Sequence, residues 1–277
     1  MPEAPANAGD ARLREAFASA RRPLFVPYVM GGFPDPRASA EHAALLAVHA
    51  DVIELGIPFS DPLADGPTIQ AAGRAALEAG TRPETVLDIA ASLRGGPPVV
   101  LMGSVNAVLA TGPRAFFERA ARAGVAGMIV PDLPADEGEE IRAQADRAGV
   151  AIVALAAPTT ADERLRLINR RARGFVYCVS VTGVTGGDVE IGGELRDFLA
   201  RARREIDLPL AVGFGIRTLE QAAAIGRLAD GVVIASQLIR LVREAPDPAS
   251  ALAALDAYAT EVKDALEAVG TARASAG

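Results

Sequence analysis

The sequence predicts an α/β protein: a single (β/α)8 (TIM) barrel with an extra N-terminal helix and additional helices after strands 2 and 8. Three observations carry this. Eight short apolar runs alternate with helix-type segments, mostly at intervals of about 22–35 residues. Each run is continuously apolar rather than alternating, as parallel strands covered on both faces are. The 277 residues, 50% hydrophobic, suffice for one closed barrel with a substantial core. A doubly wound sheet is the alternative, and no linker or shift in composition marks a second domain. Residues 1–10, polar and rich in Ala and Pro, read as a flexible N-terminal tail. Residues 11–270 read as the barrel and 271–277 as a C-terminal tail.

In chain order, 11–20 reads as a short helix, and 24–30 is a first apolar strand ending in Gly31-Gly32-Phe33-Pro34. A helix over 38–50 leads to strand two at 52–55, then helices over 71–79 and 83–93 around Gly80. Strand three (98–102) is followed by a helix over 113–123 with Pro113 in its first turn, where the missing N–H costs nothing. Strand four (127–130) precedes a helix over 135–148 whose early acids suit the helix dipole. Strands five to eight fall at 151–156, 174–179, 209–212 and 231–234. Their helices fall at 161–172, 194–204, 219–228, 236–243 and 249–269.

Composition narrows the chemistry. A net charge of −7 disfavours nucleic acid, which rewards basic surfaces. No apolar run approaches the roughly 20 residues of a spanning helix, and the N-terminus lacks the basic-then-apolar order of a signal peptide. A cytoplasmic protein is expected. Cys178 alone permits no internal disulfide and no cysteine-built zinc site. Lys263 is the only lysine, and the two histidines, His42 and His49, share one early helix as ordinary helix residues. Little is left for a lysine Schiff base, a multi-histidine metal site or a serine–histidine nucleophile; no metal site is expected.

Carboxylates remain. Glu54 sits inside the second apolar run, where an unpaired charge is costly unless it has a partner or a task. The run breaks into a stiff loop, Gly56 to Pro67, carrying Asp61 and Asp65. Asp61, between Ser60 and Pro62, reads as a turn former. Asp65 in Asp-Gly-Pro could also be turn chemistry, and Asp132 after strand four could cap the following turn. Glu54 and Asp65 together suit general acid–base work on a phosphorylated small molecule. The loops after the last three strands, 182–187, 213–216 and 235–236, are of phosphate-binding type: glycines admit an anion to backbone N–H groups, and a helix N-terminus adds its dipole. Ser236 is expected to N-cap that last helix, with plain strand-to-helix turns as the alternative throughout.

The run from Glu54 to Gln70, ELGIPFSDPLADGPTIQ, closely resembles the signature of the tryptophan synthase alpha chain family. Segments 25–29, 131–134, 183–186 and 213–216 and the eighth strand resemble it in the same order, over about 24–238. The resemblance implies a carbon–carbon lyase of tryptophan biosynthesis that cleaves indole-3-glycerol phosphate to indole and glyceraldehyde 3-phosphate. It further implies an α2β2 assembly with a beta chain, which holds the pyridoxal phosphate, so that no cofactor is expected in this chain. By the same resemblance Glu54 is the general acid–base and Asp65 the carboxylate that holds the indole N–H. Tyr28, Ser104, Tyr177 and Thr185 fall in the substrate shell, Thr185 meeting the aspartate on closure. Gly186, Phe214, Gly215, Ala235 and Ser236 fall in the phosphate shell.

The scarcities agree with that chemistry: an indole protonated at C3 is its own electron sink, so neither lysine nor metal is required. Two departures stand out. Ser104 occupies a position where the family commonly has an aromatic, which loosens the indole pocket, and Ala235 replaces a common glycine, which requires a negative φ. A phosphosugar or ribonucleotide isomerase on the same barrel, or a non-catalytic activator of a beta chain, are the other functions this sequence allows.

Overall fold

The computed structural model describes residues 7–62, 65–179, 193–213 and 215–276. Eight parallel strands close a barrel in sequence order: β1 (Leu24–Met30), β2 (Ile53–Gly56), β3 (Val99–Met102), β4 (Val125–Ile129), β5 (Ala151–Ala156), β6 (Val176–Val179), β7 (Leu210–Gly213) and β8 (Gly231–Ile234). Closure comes from β1, which pairs with β2 at Tyr28↔Glu54 and with β8 at Val26↔Val233.

The pleat divides the apolar residues between two cores. On β1, Leu24, Val26, Tyr28 and Met30 point into the barrel, with Val100, Val153, Phe175, Tyr177, Ala211 and Val233. The alternate residues, including Phe25, Ile53, Leu55, Leu101, Val176, Leu210 and Val232, form the larger core under the helices. This two-sided burial is why the strands read as unbroken apolar runs.

The helical layer is α1 (Ala8–Ser19), α2 (Pro36–Ala47), α3 (Pro67–Glu78), α4 (Pro83–Ser92), α5 (Val105–Thr111), α6 (Pro113–Arg122), α7 (Glu139–Ala148), α8 (Asp162–Arg171), α9 (Gly193–Glu205), α10 (Leu219–Gly226), α11 (Ser236–Glu244) and α12 (Pro248–Ala276). Five of them, α2, α3, α4, α6 and α12, open with Pro in the first turn. None of these helices is long and apolar enough to cross a membrane.

Several boundaries differ from the sequence reading. Residues 8–10 are the first turn of α1, not tail, because Asn7 caps the helix: its side chain accepts from the Asp10 N–H and donates to Asp146 and the Val150 carbonyl. Residues 271–276 are likewise helical. Arg273 donates to the carbonyls of Gly226 (2.6 Å) and Ala229 (3.0 Å), tying the end of α12 to the turn after α10. The helix expected over 135–148 starts only at Glu139, since Gly138 is left-handed (φ 68°). An unexpected helix, α5, follows β3, so the extra helices follow strands 2, 3 and 8.

His42 is buried in α2, but His49 is not in that helix: it lies in the turn after α2 ends at Ala47, its ring 2.7 Å from Asp256 of α12. At the base of the barrel, Leu13 of α1 is fully buried within the inner core. Its side chain leaves no room for a Cβ at Gly174, which is also left-handed. α1 thus stoppers the bottom and leaves chemistry to the top.

Candidate active site

The site is built from strand ends. Glu54 alternates with Ile53 and Leu55, which face the helices, so its side chain enters the barrel beside Tyr28. It is 1% exposed, and neither carboxyl oxygen has a hydrogen-bond partner among the described residues. Burial, with the negative charge of Asp65 added, raises its pKa from 4.5 to about 8. Asp65 stands on the loop after β2, its backbone fixed by its own N–H donating to the Pro62 carbonyl and by Gln70 donating to its carbonyl. Burial raises its pKa from 3.8 to about 6.

Two tyrosines complete the group. Burial holds the Tyr28 hydroxyl well above its ordinary pKa, with Asp65 and then Glu54 adding to the effect. Tyr177 is raised by burial, then by Glu54, Tyr28 and Asp65. Glu54 therefore feels the charge of Asp65, and both tyrosines feel the charge of the two acids. Each tyrosine reaches its place across a glycine: a Cβ on Gly56 would lie 2.0 Å from the Tyr28 hydroxyl, and one on Gly213 would lie 2.0 Å from that of Tyr177. Both glycines are needed for close approach rather than for their φ.

A cavity of about 580 Å3 opens at this end of the barrel. Tyr28, Asp65, Met102, Ser104, Asn106 and Asp132 are among its walls; Glu54 is not, although its register neighbour Tyr28 is. Asp61 also borders it, accepting from the Ser60 hydroxyl at 2.7 Å. Asp132 does not cap the turn after β4. It caps α5 instead, accepting from the Ser104 hydroxyl at 2.7 Å and the Val105 N–H at 2.8 Å. The loop that carries it is held by buried Arg142, which donates to the carbonyls of Pro134 (3.1 Å) and Glu137 (3.2 Å).

Across the mouth, Gly215 is left-handed (φ 78°), and α11 starts directly after β8. Ser236 is not its N-cap but its first helical residue. The cap is Ala235, with φ −119°, so alanine fits there without strain, and among the described residues no side-chain cap bonds the free N–H groups. That leaves the helix N-terminus open to an anion. Thr185, Gly186 and Phe214 lie outside the described residues. Sequence reasoning did not single out Met102, Asn106 or Phe59 as cavity walls; their position at the end of β3 or just past β2 and β3 was the available signal. Among the described residues no three His, Cys, Asp or Glu side chains are grouped to hold a metal.

Fold and site together define a (β/α)8-barrel enzyme with two carboxyls of raised pKa, Glu54 and Asp65, at the C-terminal mouth. A profile of the tryptophan synthase alpha chain family matches residues 15–267. The alpha chain of Gluconacetobacter diazotrophicus is 47% identical over 243 residues, 85% of this chain and 89% of that one. That of Gloeobacter violaceus is 43% identical over 92% of this chain and 94% of its own. Among solved structures, the Legionella pneumophila alpha chain superposes with a TM-score of 0.84 at 34% identity, covering 94% and 97% of the two chains. Mycobacterium tuberculosis tryptophan synthase gives 0.84 at 34% identity, over 92% and 98%.

The chain belongs to the tryptophan synthase alpha chain family. Its activity is the lyase reaction of that family, cleavage of indole-3-glycerol phosphate in tryptophan biosynthesis, and the isomerase alternative falls away. The family's pyridoxal phosphate belongs to the beta chain.

Proposed function

We propose that Glu54 and Asp65 perform the cleavage as carboxyls in opposite protonation states. At neutral pH a group with a pKa near 8 holds its proton and one near 6 has released it. Glu54 delivers its proton to indole C3 while Asp65 accepts the ring N–H and balances the positive charge that develops. The bond from C3 to the glycerol carbon then breaks, its electrons returning to the ring. The Glu54 carboxylate takes the proton of the adjacent glycerol hydroxyl as that carbon becomes an aldehyde, which restores the starting state. The observation that supports this assignment is that the charge of half-buried Asp65 reaches buried Glu54, and both acids reach buried Tyr28 and Tyr177.

Tyr28, Ser104 and Tyr177 line the ring's side in this reading, with Thr185 closing over Asp65. Gly186, Phe214, Gly215, Ala235 and Ser236 hold the phosphate at the open end of α11, where donors and dipole favour a dianion. Indole release from purified protein tests the assignment: Glu54→Gln lowers turnover roughly 10²–10⁴-fold, and near-normal turnover would remove Glu54 from its role.

A cytoplasmic α2β2 complex with a pyridoxal-phosphate beta chain is the assembly we infer. The structure from Pyrococcus furiosus at 37% identity is described as an α2β2 complex. Leu109 of α5, 52% exposed on the helix that carries the cavity wall, is a large apolar side chain for such a partner to cover. Adding a beta chain is expected to increase indole formation and to bury Leu109.

A further inference from the structure

Tyr28 stands between Glu54 and the cavity. The two are register partners on β1 and β2, yet Tyr28 lines the cavity and Glu54 does not. Glu54 and Gly56 are two residues apart on β2 and present to the same face, about 6.6 Å apart along the strand. Gly56 is the one nearer the mouth, since β2 ends there. The Tyr28 hydroxyl lies 2.0 Å from where a Cβ on Gly56 would be. It therefore fills the side-chain place of Gly56, directly mouthward of Glu54, and a glutamate leaning along its strand covers most of that distance.

The hydroxyl is poorly used at rest. It donates to Met30 Sδ at 3.8 Å, and a thioether is a weak acceptor. Neither Glu54 oxygen has a hydrogen-bond partner among the described residues. A protonated carboxyl bears that at modest cost; a buried carboxylate does not. Turnover makes the carboxylate, because the charge stays on Glu54 once its proton is on C3. Tyr28 feels the charge of Asp65 and then of Glu54. Asp65, half-buried at the cavity wall, has the ring N–H to meet it, whereas Glu54 has no such partner. The other buried tyrosine, Tyr177, has its hydroxyl over Gly213 of β7 instead.

Resting on the acid role assigned to Glu54 above, we propose that Tyr28 is the donor that meets this charge. Its hydroxyl turns from Met30 Sδ to the Glu54 carboxylate when the proton leaves, and turns back when Glu54 takes the proton of the glycerol hydroxyl. The O–H exchanges acceptors without breaking, which favours the intermediate whose ring is positive and whose Glu54 is negative.

The test is Tyr28→Phe, which keeps the ring and removes the hydroxyl, read as the pH profile of kcat/KM for indole release. Losing a hydrogen bond to a charged group raises the alkaline limb, set by Glu54, by about one to two pH units and lowers kcat about 10–100-fold. The acid limb stays in place. A packing role alone moves the alkaline limb down, because water reaching Glu54 eases its ionisation. An alkaline limb that stays or falls, or a shift confined to the Asp65 limb, overturns the proposal. A double-variant cycle gives a second readout: with Glu54→Gln no carboxylate forms, so adding Tyr28→Phe lowers residual turnover less than about threefold, and a larger loss overturns the proposal. Failure of the underlying reading is separate, since near-normal turnover of Glu54→Gln alone removes the acid itself.

Discussion

Glu54 shows how one buried residue couples catalysis to stability. Its proton is retained because the ionised form is desolvated, so the two carboxyls titrate apart, as an acid–base pair must. For the free enzyme, kcat/KM is expected to rise as Asp65 ionises near pH 6 and to fall as Glu54 loses its proton near pH 8, a bell centred about neutrality. A profile flat across that range would contradict the assignment.

The same shift destabilises the fold in alkali. Between pH 4.5 and about 8 the folded chain holds a proton that the unfolded chain has released, so stability falls as pH rises through that window. At 1.36 kcal/mol per pKa unit, the unfolding free energy of Glu54→Gln relative to the parent is expected to improve by on the order of 4 kcal/mol between about pH 5 and pH 9. Urea melts at the two pH values measure it. Glu54 was legible in the sequence as a charge in an apolar strand. Its raised pKa was not, because desolvation depends on what closes over the carboxyl.

At the scale of elements, α5 is the instructive case. It is seven residues long and has little propensity signal of its own, which is why the sequence reading passed over it. Its start is made by a residue from another loop, Asp132, together with Ser104. Ser104 is its local cap, accepting from the Asn106 N–H, but the bond from the Val105 N–H to Asp132, 27 positions away, has no local signature. Asp132→Ala is expected to cost about 1–2 kcal/mol in unfolding free energy, with a larger loss in KM than in kcat because the cavity wall moves. Equal effects on both would show that α5 does not shape the ring's pocket. Ser236 illustrates the same limit: a Ser after an apolar strand reads as a cap, but the backbone turn falls one residue earlier, at Ala235.

For the whole molecule, the two ends of the barrel have separate duties. The base is stoppered by α1, where Leu13 sits fully buried in the inner core, far in function from the carboxyls at the mouth. Leu13→Ala is expected to cost about 2–5 kcal/mol of stability and to leave KM for indole-3-glycerol phosphate unchanged, read by denaturant titration and steady-state assay. A variant that loses stability and affinity together would tie base to mouth.

Sequence alone determined the barrel, because two-sided burial of eight strands leaves an apolar periodicity that no other part of the chain disguises. It also determined the signature run from Glu54 to Gln70, whose residue types are compact in the chain. Tertiary structure alone decided which groups lie close enough to feel the Asp65 and Glu54 charges, and which loop reinforces the start of α5. Those are contacts between residues distant in sequence, and their energies depend on burial and distance that a linear order of residues does not contain.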